Sequence, residues 1–249
     1  MKNLELQPEI IYEDKDFLVI NKPAFLLIQP TKYEKENTLV DFLKEHYPAI
    51  KDIGQKERPG IVHRLDKDVS GVLVVAKNQK VYNLLVSQFK NRQIKKEYLG
   101  LVFGKPPQDK GEIDFPLART KKGKIVAVRP ACQSLRLKPL AGRPACQSLR
   151  LKPLAGRFEG KLKMKKEAMT KYEVIKKFER YSLLKIEPLT GRTNQIKIHL
   201  KTIGCPLVRT QGRVFLHAVL IGFYDLENKW REFKAPLAQG LKNFLEKIE

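Results

Sequence analysis

The sequence predicts an α+β fold, in which hairpin strands and a few amphipathic helices share one chain. Three observations lead there. Two pairs of β-rich runs sit close together, residues 9–14 with 16–23 and 168–178 with 181–187, the spacing of hairpins. Helical periodicity falls between such runs, at residues 38–47 and 79–91, and returns at the C-terminus up to Ile248. Residues 58–77 read as a turn, a polar loop and then a buried strand.

In chain order, Glu9-Ile10-Ile11-Tyr12-Glu13-Asp14 and Asp16-Phe17-Leu18-Val19-Ile20-Asn21-Lys22-Pro23 form two strands around an acidic turn. The helix over 38–47 places Leu39, Phe42 and Leu43 on one face. Pro59-Gly60 marks a turn, and Gly71 to Ala76 is a short apolar run rich in β-branched residues, the composition of an interior strand. Between them lie His63, Arg64, Asp66 and Asp68, on a loop that the strand anchors. The helix over 79–91 turns Tyr82, Leu85, Val86 and Phe89 inward. Residues 95–104 form a strand that contains Tyr98. Thr190 or Thr193 caps a helix that runs through Leu200, with Gln195 and His199 on one face and His199 a structural histidine. Leu216-His217-Ala218 opens a strand through Phe223.

Residues 129–142 and 143–156 are identical, so Arg-Pro-Ala-Cys-Gln-Ser-Leu-Arg-Leu-Lys-Pro-Leu-Ala-Gly occurs twice in tandem. Two such copies are too few and too short for a solenoid. The repeat over 129–156 reads as a surface excursion between two strands of a single domain spanning 1–249.

The net charge is +22 over 249 residues. The two repeat copies supply 6 of these charges, and the rest still exceeds what solubility needs. A polyanionic partner accounts for it. No apolar run reaches the roughly 20 residues of a membrane helix, and Met1-Lys2-Asn3-Leu4-Glu5 has no signal-peptide core. The expected compartment is the cytoplasm. Of the three cysteines, Cys132 and Cys146 are copies of each other, which leaves neither a disulfide framework nor metal-ligand spacing.

The string His63-Arg64-Leu65-Asp66-Lys67-Asp68-Val69-Ser70-Gly71, followed by a Val/Leu-rich strand, resembles the catalytic loop of the RluA family of pseudouridine synthases. Val69 stands where the family usually has Thr. The opening strand pair resembles the family's "strand, Glu-Asp, strand, Asn-Lys-Pro" start, with Phe25 and Gln29 at positions that favour Gly and His. Lys95 to Gly104 resembles the family's Lys-x-Tyr segment, so Tyr98 matches its active-site tyrosine. Gly191-Arg192-Thr193-Asn194-Gln195-Ile196-Lys197-Ile198-His199-Leu200 resembles Gly-Arg-Thr-His-Gln-Ile-Arg-Val-His-Leu, with Asn194 for His and Lys197 for Arg. The family's Gly-Asp-x-x-Tyr-Gly loop, expected near residue 208, is absent or truncated, whereas Leu216-His217-Ala218 is preserved. The resemblance covers nearly the whole chain outside the repeat and leaves no room for a separate N-terminal RNA-binding (S4) module.

The resemblance implies the pseudouridine synthase fold, a mixed and mainly antiparallel sheet flanked by helices with an RNA-binding cleft across it. It implies isomerisation of specific uridines in ribosomal or transfer RNA, with base flipping and without a cofactor or metal. Asp66 would be the nucleophile, Tyr98 the active-site tyrosine, and Lys197 the cation that keeps the carboxylate charged. His63, Arg64, Arg192 and Leu216 would contact substrate, with Arg64 filling the space that the extruded base leaves and Leu216 packing on the uracil. Attack at the ribose C1′ and at the base C6 are both open, and a monomer is the default. Two other classes compete. One is an RNA-binding or RNA-folding protein with little or no catalysis on the same scaffold, favoured by Asn194, Lys197 and the missing loop. The other is a hydrolase using Asp66, for which a second carboxylate or a metal set is missing.

Overall fold

The structure, a computed structural model, describes residues 6–31, 37–121, 123–128 and 162–249. The expected excursion over 129–156 lies outside the described residues. Strands β1 (Glu9–Glu13) and β2 (Phe17–Lys22) are followed by α1 (Leu39–His46), a 3-10 turn (Pro48–Asp52), and the short strands β3 (Gly54–Gln55) and β4 (Arg58–Pro59). Then come β5 (Ser70–Ala76), α2 (Gln79–Lys90) and β6 (Lys95–Phe103). The middle of the chain holds β7 (Lys110–Asp114), β8 (Leu117–Thr120), β9 (Ile125–Ala127), β10 (Leu162–Lys166), β11 (Met169–Lys177), β12 (Tyr181–Pro188) and α3 (Gln195–Thr202). The chain ends with β13 (Arg209–Thr210), β14 (Arg213–Val214), β15 (Leu216–Tyr224), β16 (Trp230–Lys234) and α4 (Gln239–Ile248).

These elements form two compact units, residues 1–99 with 209–249, and residues 100–208. The centre of the first unit is β5, whose seven residues are all buried. It pairs antiparallel with β2 and parallel with β15. Burial on both faces explains why it reads as a continuous apolar run instead of an alternating one. The strand pair β1–β2 turns at Asp14, whose Oδ1 accepts the backbone N–H groups of Asp16 and Phe17, both at 2.8 Å. The outer strand β16 pairs with β15, and Tyr12, Phe17, Phe223 and Phe233 cluster with ring centroids 5.0–5.8 Å apart. The Arg231 guanidinium lies over three of these rings.

Helix α1 is capped by Thr38 in a reciprocal box with Asp41, and Val40 rather than Phe42 joins Leu39 and Leu43 in the core. Phe42 stacks on His46 instead. Helix α2 also faces the core on a different stripe from the expected one: Val81, Leu85 and Gln88 are buried and Val86 is exposed. Gln88 repays its burial because its amide both donates to the Tyr224 carbonyl (2.7 Å) and accepts from the Tyr224 N–H (2.9 Å). Hydropathy ranks a glutamine as outward-facing; two main-chain hydrogen bonds override that.

In the second unit, β11 pairs with β12 and β7, and β8 pairs with β9 and β10, all antiparallel. Helix α3 starts at Gln195 with Asn194 at its N-cap in the left-handed region (φ 55°) and makes no side-chain cap bond. Neither Thr190 nor Thr193 caps it. Thr190 is buried and spends its hydroxyl on Gln195 Oε1 (2.6 Å), while accepting the Met169 N–H. Among the described residues, no helix is long and apolar enough to cross a membrane.

Candidate active site

The loop 61–70 is pinned along β5 at several points. Ile61 bridges back to Val75, and the Val74 N–H donates to His63 Nε2 at 3.0 Å. The His63 ring stacks on Phe89 of α2, 4.8 Å between centroids. Burial, with Lys96 nearby, pushes this imidazole down to about 3, so it stays neutral and its Nε2 remains an acceptor. His63 thereby ties the loop to both the strand and the helix. Leu65 and Val69 are buried anchors, and the Val69 N–H closes a turn onto the Asp66 carbonyl at 3.1 Å. Between these anchors Asp66 is half-buried, and Arg64, just before Leu65, is exposed.

Tyr98 on β6 feels Asp66 directly. Burial first, then the Asp66 carboxylate, raises its phenol above the ordinary value, so it remains a protonated hydrogen-bond donor. Lys22, at the end of β2, was not singled out from the sequence although it sits within the Asn21-Lys22-Pro23 opening. Its side chain is fully buried, and Nζ donates to the carbonyls of Pro23 (2.7 Å) and Leu26 (3.0 Å). Burial, then the Arg213 cation, lowers it to about 7, against the pull of Asp68 and Asp66. Two carboxylates of the loop therefore lie in the field of a buried ammonium.

The end of the loop is held by a buried polar cluster. Ser70 Oγ accepts from Arg213 Nη2 at 2.5 Å and lies 2.7 Å from His217 Nδ1. The hydroxyl and the imidazole share this hydrogen bond. Burial lowers His217 to about 4, so the imidazole is neutral. Arg213 is itself lowered by burial, with Asp68 opposing. Next to Ser70, Gly71 has φ 120°, and a Cβ there would meet the Ala218 carbonyl oxygen at 2.2 Å. The parallel register Ser70↔His217 and Gly71↔Ala218 depends on that missing side chain. Leu216, buried at the first position of β15, directly precedes this junction.

The structure thus brings His63, Arg64, Asp66, Tyr98 and Leu216 into one unit. Arg192 and Lys197 belong to the other. There Gln195 is the strut: Oε1 accepts from Thr190 Oγ1 and from the Arg192 N–H, and Nε2 donates to the Met169 carbonyl and Thr170 Oγ1. Arg192 is exposed with Nε on the Glu167 carbonyl (3.0 Å), and Lys197 is half-buried on α3. His199 is buried between Thr170 Oγ1 and the Phe115 carbonyl, the structural role expected of it. Asn194 suits its left-handed position, which asparagine tolerates better than most residues. In place of the longer loop, β13 and β14 form a two-residue hairpin with Gln211 and Gly212 both at positive φ (49° and 76°). No group of three or more His, Cys, Asp or Glu able to hold a metal occurs among the described residues.

Comparison with known proteins matches residues 16–202 to the model of the family described as RNA pseudouridylate synthase. The chain belongs to the RNA pseudouridylate synthase family. It is 32% identical over 252 residues to an uncharacterized RNA pseudouridine synthase of Bacillus subtilis, covering 96% of this chain and 72% of that protein. It is 39% identical over 219 residues to an uncharacterized RNA pseudouridine synthase of Aquifex aeolicus, covering 84% of this chain and 59% of that one. A ribosomal large subunit pseudouridine synthase D of Borreliella burgdorferi is 32% identical over 249 residues, with coverage of 95% and 67%. The fold is shared with human RNA pseudouridylate synthase domain containing 1, at TM-score 0.67, 20% identity and coverage of 100% and 97%. Membership of this family establishes the α+β pseudouridine synthase fold expected from the sequence.

Proposed function

We propose that this chain isomerises uridine to pseudouridine in structured RNA, with Asp66 as the nucleophile. The carrying observation is the placement of Asp66: a half-buried carboxylate on a turn clamped by Leu65 and Val69, close enough for its charge to be felt by Tyr98, in a chain of this family. The reaction breaks the N1–C1′ bond, turns the uracil and joins C5 to C1′. The C5 hydrogen leaves as a proton, N1 gains one, and no external group is consumed. One carboxylate suffices for the covalent step, at C1′ or at C6.

Tyr98, held protonated, offers a ring face and a donor to the extruded base. Leu216 contributes apolar surface, and Arg64, exposed beside Asp66, reaches the RNA. His63 acts through the loop, since its Nε2 is committed to Val74. Arg192 is assigned to the RNA backbone, and Lys197 supplies the positive charge that arginine gives elsewhere in the family, without the bidentate fork. The names of several relatives make large-subunit ribosomal RNA the first substrate to try.

The test is pseudouridine mapping of unmodified ribosomal and transfer RNA incubated with the protein and with Asp66→Asn. New sites made only by the parent protein support the proposal and name the substrate. No new sites, with salt-sensitive RNA binding equal in both proteins, replaces it with the non-catalytic RNA-binding reading.

A further inference from the structure

We infer that Phe25 is a stacking platform for an unpaired nucleobase of the RNA beside the target uridine. Phe25 occupies the third position of the turn Pro23-Ala24-Phe25-Leu26, with φ 70°. Turns with a positive φ at that position favour glycine or asparagine. A bulky aromatic there is a backbone outlier that surrounding structure must enforce, and such outliers cluster at functional sites. The enforcement is visible. The Phe25 N–H donates to the Lys67 carbonyl at 2.7 Å, one residue after Asp66. The buried Lys22 ammonium holds the Pro23 and Leu26 carbonyls, so the turn is wrapped around the lysine.

The ring is only partly covered by the protein. Phe25 is 42% exposed, whereas its neighbours Ala24 and Leu26 are buried at 8% and 4%. The shortened β13–β14 hairpin lies near it, since a Cβ on Gly212 would come 3.8 Å from the ring. An aromatic that is strained, exposed and hydrogen-bonded to the nucleophile's loop matches the demands of base stacking, which needs a rigid π-face and no polar partner. A nucleobase is the occupant that fits, because the chain's +22 charge already draws a polyanion.

The inference rests on the RNA-modifying role proposed above, but its test reads binding and needs no turnover. The probes are a labelled stem–loop RNA with a seven-uridine loop and the same stem with an abasic loop. Wild type is compared with Phe25→Asn and Phe25→Gly, which relieve the backbone strain and remove the ring, and with Phe25→Tyr, which keeps it. The Asn and Gly variants are expected to bind the uridine loop about 10-fold more weakly. They should bind the abasic loop as wild type does and hold or raise Tm, and Tyr restores uridine-loop binding. Equal binding of the uridine loop by wild type and Asn, or an equal loss on both probes, overturns the inference. So does a fall in Tm of several degrees for both Asn and Gly without a binding change, which makes the ring structural. Absence of pseudouridine formation by wild type would defeat only the catalytic proposal.

Discussion

Replacing Ser70 by alanine removes one hydroxyl and leaves two buried partners without their shared ligand. Arg213 loses the acceptor of its Nη2–H at 2.5 Å, and His217 Nδ1 loses its hydroxyl partner at 2.7 Å. Both residues are at least nine-tenths buried, at 7% and 0% exposure, so water cannot replace the hydroxyl without rearrangement. An orphaned buried polar group costs about 1–3 kcal/mol, more when charged. With one cationic and one neutral group affected, the sum is about 3 kcal/mol. For a chain of this size that lowers Tm by roughly 6–12 °C. Asp66 lies four residues upstream, so turnover should fall together with stability. Thermal unfolding followed by circular dichroism reads the first effect, and single-turnover kinetics the second. A double-mutant cycle of Ser70→Ala with His217→Phe should show coupling of about 1 kcal/mol or more. A Ser70→Ala protein within about 0.5 kcal/mol of wild type would refute the reasoning, because the cluster would then contribute nothing to the loop.

Other outcomes follow from the same geometry. Gly71→Ala drives a methyl into the Ala218 carbonyl and should cost at least about 3 kcal/mol; near wild-type unfolding would show that the β5–β15 register is not what holds the loop. His63 and His217 bind protons more readily unfolded than folded, since burial depresses both to about 3 and 4. Their contribution is present above pH 6.5 and is lost as pH falls from 6.5 toward 3–4. His63→Gln, which keeps an acceptor for the Val74 N–H, should flatten the Tm–pH curve over that interval, and an unchanged slope would contradict the assignment. Lys197→Arg should raise turnover by supplying the forked contact; a decrease would sink that reading.

Strands β1, β2, β5, β6, β11, β12 and β15 were legible because their residue types mark them, whereas the short strands β3, β4, β7 to β10, β13, β14 and β16 were not read from the sequence. Helix α2 was misphased: of the expected inward residues only Leu85 is buried, joined by Val81 and by Gln88, which is buried through its bonds to Tyr224, 136 residues later. Partners at that separation leave no local trace. The same limit hid the site's supports. Asp66 and Tyr98 were proposed from the motifs they resemble, but Lys22 and Arg213 matter through carbonyls and hydroxyls that the fold brings to them. Phe25 was visible only as a departure from a position that favours glycine; the positive φ supplies the physical reason for that preference. The cap of α3 was misread because Thr190, the right residue type, is consumed by Gln195.

The measurement that bears most directly on the central claim is release of tritium from RNA labelled at uridine C5. Joining C5 to C1′ must expel that hydrogen, so the readout is tied to the bond being made. The account predicts one tritium released per pseudouridine formed by the wild-type protein, and release at background for Asp66→Asn despite unchanged RNA binding. Release by Asp66→Asn at a rate near wild type would contradict it, and the nucleophile would have to be sought elsewhere.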